Sequence, residues 1–350
     1  MNFTIFSSTS SYDYSGDFTI QWDDTPSTKQ KYFISPEKWT ALFVYVIVFI
    51  LGVPGNALVV WITLEMKKSV NTIWFVNLAI ADLLCCLAVP FNIMEIVLGY
   101  WPLGLAACKL IPSILLINMY ASVLLLTVIS LDRWALVAKP IWSQNKRSVK
   151  KAYLACLVVW VLAFILTSPS FFFRKTDKGN RVNEACVLHF DFSAEYRLKI
   201  KKCIAIFRFL MGFIIPLIAI IICYSVLLKT VSERYIKSSK TVKVVAVVII
   251  GFFVCWFPYH IAGLILNSAS PRSDLYKSTI KADPFLISIA FVNSCINPII
   301  YVLMGHDLKS KFKKSIQSVM RKVLADEQSD SFDSKKTKSS SETKNTNTYV

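Results

Sequence analysis

The sequence carries little charge for its length. Only 17% of its 350 residues are Asp, Glu, Lys or Arg, whereas 55% are hydrophobic, and the mean hydropathy is +0.51. A composition this apolar excludes an ordinary soluble domain. A helix of about 20 apolar residues crosses the hydrocarbon core of a bilayer. Four uncharged stretches are long enough to do so: Trp39–Leu64, Ala152–Phe173, Val244–Ser270 and Pro284–Gly305.

Three further stretches have a similar length but contain isolated ionisable residues. They are Ile73–Leu98 with Asp82 and Glu95, Lys109–Leu131 with Lys109 at its start, and Cys203–Leu228 with Arg208. A charge inside a membrane is costly and usually faces the interior of a helix bundle, so these residues are candidates for a functional role. The pattern predicts an all-α membrane protein, a seven-transmembrane helix bundle.

Histidines are few, and internal repeats are absent from the sequence. The three histidines, His189, His260 and His306, are widely separated, and no nucleophile–base or metal-binding constellation is recognisable. We therefore expect neither an enzyme nor a bound cofactor. His260 is more consistent with a packed or pocket-lining side chain. A channel or transporter would usually show repeats or paired broken helices, and neither is found.

The net charge of +17 is distributed as in a membrane protein, so we expect no nucleic-acid partner. With the N-terminus outside, 23 Lys and Arg lie in the inner loops and C-terminal tail, against 14 in the outer segments. Asn2-Phe3-Thr4 is an acceptor for N-glycosylation, which occurs only outside the cell. No cleavable signal peptide is predicted, so the first helix should act as the signal anchor. Seven crossings then place the C-terminus in the cytoplasm.

Both ends of the chain differ in composition from the bundle. Polar residues dominate 1–38 and 326–350, which we predict to be disordered tails flanking the bundle of residues 39–305. Residues 306–325 have apolar residues at helical spacing among many lysines, which predicts an amphipathic helix on membrane lipid at the inner surface. An ordinary solvated charged helix is the alternative.

Two of the nine cysteines are predicted to face an oxidising compartment. Cys108 lies at the outer mouth of the third stretch and Cys186 in the second outer loop, whereas most others lie inside apolar stretches. We predict a disulfide between Cys108 and Cys186, which would hold the loop over the bundle.

Motifs on successive stretches give the chain a resemblance to rhodopsin-like G-protein-coupled receptors. They are Gly55-Asn56, Leu78–Asp82, Asp132-Arg133-Trp134, Trp160, Pro216, Tyr224, Cys255–Pro258 and Asn297–Tyr301. Trp134 departs from the tyrosine that the family usually has. The resemblance implies a plasma-membrane receptor in which Asp132, Arg133, Tyr224, Trp256, Pro258 and Tyr301 serve signalling. It also implies coupling to a heterotrimeric G protein, most often of the inhibitory type.

Amide and hydroxyl side chains four residues apart on two helices could, together with Asp82, surround a cation. Asn118 and Ser122 share one face of the third helix, and Asn293 and Asn297 share one face of the seventh. Such oxygens suit a hard monovalent cation, and the resemblance implies an allosteric sodium ion there. A hydrogen-bonded water network without an ion is the alternative.

A closer resemblance is to the complement anaphylatoxin receptors, with formyl-peptide receptors next. It rests on Asn71–Phe75, Ile111–Ser113, Asn118–Ser122, Lys139–Trp142, Pro169–Arg174 and Pro258-Tyr259-His260. The resemblance implies that Arg208 receives the C-terminal carboxylate of a peptide ligand and that Asp283 meets the terminal arginine of that ligand. Arg174 and Tyr259 are expected as rim and floor contacts of the same site.

The residues themselves agree with such a site. Arg208 lies about two helical turns outside Pro216, in the outer half of the bundle. Asp283 is expected to start the seventh helix, where the helix dipole favours a negative charge. One fixed cation and one fixed anion suit a peptide ending in arginine. An internal Arg208–Asp283 ion pair is the alternative, and Lys201 departs from the acidic residue typical of receptors for C5a.

The resemblance leaves several ligands open. The short second outer loop and the acidic tyrosines Tyr12 and Tyr14, which resemble sulfation sites, favour the anaphylatoxin C5a, with roles in chemotaxis and inflammatory signalling. An unmodified N-terminal tail is the alternative to sulfation. Cys85-Cys86 and Lys109-Leu110 look closer to receptors for C3a. The motifs are also consistent with a formyl-peptide receptor, or with a non-signalling scavenger receptor for the same ligands.

The C-terminal tail is rich in hydroxyl residues. Phosphorylation by receptor kinases would make it an anionic segment that arrestin could bind, although the tail could also lack that role. The candidate sites are Ser329, Ser331, Ser334, Thr337, Ser339, Ser340, Ser341 and Thr343.

Overall fold

The computed structural model describes residues 34–178, 184–233 and 240–304. The helices are α1 (Pro36–Glu65), α2 (Val70–Leu98), α3 (Gly104–Ala138), α4 (Pro140–Lys146), α5 (Val149–Phe173), α6 (Ala194–Phe209), α7 (Ile215–Glu233), α8 (Lys240–Leu266) and α9 (Asp274–Met304). A π-helical segment, Leu210–Ile214, joins α6 to α7, and strands β1 (Arg174–Lys178) and β2 (Glu184–Leu188) form a hairpin. Among the described residues, seven helical spans are long and apolar enough to cross a membrane, which confirms the predicted fold class.

Sequence-encoded caps set several of the helix ends. Ser69 accepts a hydrogen bond from the backbone N–H of Thr72 (3.2 Å) and donates its own N–H to the Thr72 hydroxyl (2.8 Å), which closes a capping box at the start of α2. Gly99 ends α2 with φ of 75°, a left-handed conformation that glycine adopts without strain. Ser148 caps α5 through its side-chain oxygen, which accepts a hydrogen bond from the backbone N–H of Lys151.

Helix α3 is the centre of the bundle, because it packs against α2, α5, α7 and α8. Its inward side chains, including Met119 and Leu125, are fully buried. The outward faces of the other helices carry large apolar side chains such as Phe43 and Ile250, which are more than half exposed. An apolar exterior around a core containing polar side chains is the arrangement expected in lipid.

The seventh helix begins earlier than the sequence predicts, and this corrects the placement of Asp283. Helix α9 starts at Asp274, where the Ser273 hydroxyl accepts the N–H of Tyr276 (3.2 Å). Asp283 therefore lies nine residues inside the helix and does not benefit from its positive end. The first eight residues of α9 include Lys277 and Lys281, so this segment of the sequence is not apolar.

The fifth span is not a continuous α-helix. Pro216 cannot donate a backbone hydrogen bond, and the chain accommodates it with the π-helical turns of Leu210–Ile214 just before it. The helix is therefore widened locally just after Arg208. Such π-bulges are frequent at functional sites.

Candidate functional site

A cavity opens inside the end of the bundle that carries the β-hairpin, called here the hairpin end. Its volume is about 100 Å³, and its wall is built from α1, α2, α3, β1, α6, α8 and α9. Arg174, Arg208 and Tyr259, three of the four predicted ligand-binding residues, line it together with Lys38 and Glu95. The structure thus brings charged residues from distant parts of the chain to one cavity, whose wall is otherwise mostly apolar.

Arg208 is oriented by Tyr259. Its Nη1 donates a hydrogen bond to the Tyr259 hydroxyl (2.7 Å), and its guanidinium also lies 5.8 Å from the centre of the Tyr259 ring. Asp283 is 5% exposed and lies within electrostatic range of Arg208, although it is the next residue, Pro284, that lines the cavity. Among the described side chains, Asp283 Oδ1 has no hydrogen-bond partner. This carboxylate therefore has capacity to accept a further donor.

Arg174 is held in place by two serines and by the disulfide. Its Nε donates to the Ser170 hydroxyl (3.1 Å), which lies 2.7 Å from the hydroxyl of Ser113, and its Nη1 lies 3.6 Å from Cys186 Sγ. The sequence analysis missed both serines as positioning residues. Both lie in the segments that carried the family resemblance, and no other signal in the sequence marks them.

The predicted disulfide between Cys108 and Cys186 is confirmed. It joins α3 to β2, whose residue Cys186 pairs with Thr176 of β1, and its sulfur atoms are buried against Trp101. Beyond the hairpin, the exposed Asp191 carboxylate accepts from Lys175 (2.7 Å), and this bond and charge hold the pKa of Asp191 below its usual value. The disulfide and the Lys175–Asp191 bond thus fix the base of the hairpin at the cavity.

Asp82 lies at the centre of the bundle, and its partners are those that the sequence predicted. Its two carboxylate oxygens accept from Asn118 (2.9 Å) and Asn297 (2.6 Å). Ser122 and Asn293 are also buried there. Ser294, which the sequence analysis did not single out, lies beside the carboxylate as well.

Several oxygens around Asp82 are left without a donor. Among the described residues, Asn118 Oδ1, Asn297 Oδ1 and the Ser122 hydroxyl are buried and have no hydrogen-bond partner. Buried polar atoms normally have one. A carboxylate with surplus amide and hydroxyl oxygens fits a hard cation such as sodium.

A column of aromatic side chains leads from the cavity into the core. Tyr259 meets Trp256 edge to face, with ring centres 5.3 Å apart, and Trp256 lies 5.9 Å from Phe252. Trp256 is fully buried, and Pro258 interrupts the hydrogen bonding of α8 within the same turn. His260 is packed against Phe213 (5.3 Å). A movement of Arg208 would therefore be transmitted to Trp256 through the ring of Tyr259.

At the end of the bundle opposite the hairpin, Asp132 is shared by two arginines. Arg147, which follows α4, donates to both carboxylate oxygens (2.7 and 3.1 Å), and Arg133 approaches to 3.4 Å. Both arginines also donate to Asn71 Oδ1, at 2.8 and 2.5 Å. Tyr224 lies within electrostatic range of Arg133. Arg147 and Asn71 were not predicted as members of this group.

Comparison with known proteins identifies the family. The family described as "7 transmembrane receptor (rhodopsin family)" matches residues 55–301. The chain belongs to this family.

Several relatives that share 40–46% of their residues with the chain are anaphylatoxin receptors. The chain is 45% identical over 323 residues to the C5a anaphylatoxin chemotactic receptor 1 of Oryctolagus cuniculus, covering 91% of this chain and 92% of the relative. It is 43% identical over 307 residues to the human C5a receptor 1, covering 87% of each. It is 40% identical over 321 residues to the C3a anaphylatoxin chemotactic receptor of Oncorhynchus mykiss, covering 89% and 86%. The chain is therefore a G-protein-coupled receptor of the anaphylatoxin-receptor type, a multi-pass protein of the plasma membrane.

Several predicted sites lie outside the part of the chain that the structure describes. They are the side chain of Tyr301, Asn2, Tyr12 and Tyr14, the helix of residues 306–325, and all eight phosphorylation candidates. These sites stay predictions.

Proposed function

We propose that the chain is a receptor for the complement anaphylatoxin C5a. The observation that carries the proposal is the cavity in which Arg208, fixed by Tyr259, lies beside Arg174 under a disulfide-tied hairpin. Two guanidinium groups suit the C-terminal carboxylate of a peptide, because charge-assisted hydrogen bonds of this kind are strong. The partly unsatisfied Asp283 is the proposed acceptor for the ligand's terminal arginine.

The N-terminal tail is proposed as a second contact. With the N-terminus outside the cell, the hairpin end faces the ligand, and sulfate groups on Tyr12 and Tyr14 would attract the basic body of an anaphylatoxin. Asn2 would carry a glycan on the same tail. The tail would thus bind the body of the ligand while the cavity binds its C-terminus.

Binding in the cavity would be transmitted through the aromatic column. A ligand shifts a receptor between two packings only by binding one of them better. A carboxylate on Arg208 would change its bond to Tyr259 and hence the contact of Tyr259 with Trp256. At the opposite end, Arg133 is proposed to leave Asp132 and meet an inhibitory G protein.

The group around Asp82 is proposed to hold sodium when the receptor is inactive. Asp82, Asn118, Ser122, Asn293 and Asn297 would hold the ion, which would neutralise the buried carboxylate. Receptor kinases and arrestin are proposed to act later on the C-terminal tail.

A calcium-flux panel tests the ligand assignment. Cells expressing the chain should respond to purified C5a more strongly than to C3a or formyl peptides, and pertussis toxin should abolish the response. A stronger response to C3a would reassign the receptor to that ligand. Binding of C5a without any calcium or arrestin response would indicate a scavenger.

A further inference from the structure

Glu95 is a carboxylate of the cavity wall to which no role has been given. It lies in the last turn of α2, is partly buried, and lines the cavity with Lys38, Arg174 and Arg208. Two features make this position unfavourable for a carboxylate. It lies inside a membrane-spanning helix, and it lies at the negative end of the helix dipole.

The cations of the cavity compensate Glu95 in the ligand-free receptor. Lys38 and Arg174 are both within electrostatic range of its carboxylate. Arg174 is also one of the two guanidinium groups proposed to receive the ligand's carboxylate. A ligand carboxylate bound to Arg174 would neutralise part of the positive charge that compensates Glu95. Glu95 would then favour another cation.

A second acceptor lies next to Glu95 on the same wall. Asn92 is three residues earlier on α2, hence on the same helical face, and it also lines the cavity. Its Nδ2 donates to the carbonyl of Ala88 (3.2 Å), so its amide oxygen is left as an acceptor. A carboxylate and an amide oxygen one turn apart match a guanidinium or ammonium group, which has several N–H donors and no acceptor.

We propose that Glu95, assisted by Asn92, accepts a basic group of the ligand close to its free carboxyl end. The inference rests on the proposed function, in which Arg174 and Arg208 bind that carboxyl end. Glu95 is then an acceptor in addition to Asp283, contributed to the cavity by α2 and not by α9. It makes the receptor selective for C-termini that combine one carboxylate with a cation.

A matched pair of peptides tests the proposal in cells that express the full chain. One is the C-terminal peptide of C5a ending in arginine, and the other ends in citrulline, which has nearly the same shape but no charge. The wild-type receptor should prefer the arginine peptide, and Glu95→Gln should reduce this preference by about tenfold or more. Glu195→Gln is the control, because Glu195 is an exposed carboxylate paired with Lys199 (2.7 Å). A preference in Glu95→Gln equal to that of the wild type would overturn the proposal.

A second measurement decides the role of Glu95 even when C5a is not the ligand. If neither C5a nor C3a peptides act on the wild type, the proposed function fails, and N-acetyl-arginine then serves as the probe. It carries both the cation and the carboxylate that would bind Arg174. Millimolar N-acetyl-arginine should raise the melting temperature of the purified Asp283→Ala receptor, and Glu95→Gln added to that background should abolish the rise. Equal shifts in both receptors, or none in either, would refute the role of Glu95.

Discussion

Removing one member of a buried charged contact leaves the other unpaired, which costs binding free energy. Arg208 is therefore the most informative single residue to change. Arg208→Ala should weaken binding of a peptide with a free C-terminal carboxylate by about 2–5 kcal/mol, tens to thousands of fold in affinity. The same peptide with a C-terminal amide should lose much less. Radioligand competition measures both, and Lys199→Ala is the control because Lys199 is an exposed cation on the same helix. Equal losses for the two peptides would contradict a carboxylate contact.

Asp283 should affect a different part of the ligand. Asp283→Ala should lower the affinity of peptides that end in arginine while leaving des-arginine peptides almost unchanged, because only the former bring a guanidinium to this carboxylate. The ratio of the two affinities is the quantity to measure. If the wild type and the variant give the same ratio, Asp283 serves only as an internal partner of Arg208.

Asp82 is proposed to couple the core of the bundle to the ligand. If sodium bound there stabilises the inactive packing, raising the sodium concentration should lower agonist affinity, and agonist should lower sodium affinity by the same factor. Asp82→Asn should abolish this sodium dependence, because the amide carries no negative charge. Agonist competition in sodium and in N-methylglucamine buffers of equal ionic strength measures it. A sodium effect that persists in the variant would exclude the ion site.

Residues that share a helix face could be predicted from the sequence, and residues that meet across loops could not. Spacings of four residues place Asn118 with Ser122 and Asn293 with Asn297 on shared helix faces. The family resemblance implied that these faces meet Asp82, and the structure places Asn118 and Asn297 on its carboxylate. Arg147 was interpreted only as part of the positive charge of an inner loop. Its bond to Asp132 depends on the path of the chain through α4, which no periodicity in the sequence reveals.

At the scale of elements, Arg147 attaches α4 to the bundle. Its two bonds to Asp132 should couple the residues by about 1.5–3 kcal/mol, the range for hydrogen bonds to charged groups. A double-mutant cycle of Arg147→Gln and Asp132→Asn, followed by thermal unfolding of the purified receptor, measures that coupling. Lys146→Gln removes an exposed neighbouring charge and should have no effect. Strictly additive losses would show that the bridge does not stabilise the fold.

The apolar stretches predicted every spanning helix, but they did not predict where each helix ends. An apolar stretch ends at the first charged residue, whereas a helix can continue beyond the membrane until a capping residue ends it. Helix α9 therefore starts ten residues before Pro284, and α3 extends beyond its stretch at both ends. The hairpin was missed because β1 has the polar sequence Arg174–Lys178 and depends on the disulfide and on pairing with β2.

At the scale of the whole molecule, the C-terminal tail is predicted to end the signal. Each phosphate adds about −1.5 to −2 charges, so several would create a segment suited to a basic groove on arrestin. Replacing all eight hydroxyl candidates from Ser329 to Thr343 by Ala should preserve the first G-protein response, prolong it, and reduce internalisation. Arrestin recruitment by energy transfer measures this. Normal arrestin recruitment by the variant would show that these tail residues are not what ends the signal.

The π-helical segment sets the two ends of the fifth span in different rotational phases. A π-turn holds about one residue more than an α-turn, and each residue of an α-helix turns the chain by about 100°. Compared with a uniform α-helix, the direction in which Arg208 projects from the helix axis is therefore rotated relative to that of Tyr224 at the opposite end. Deleting Met211 would remove the extra residue of the π-turn and rotate Arg208 away from Tyr259. We expect this variant to lose peptide binding in a radioligand assay while it still reaches the cell surface. A one-residue change in length would then abolish recognition, although Met211 itself does not line the cavity.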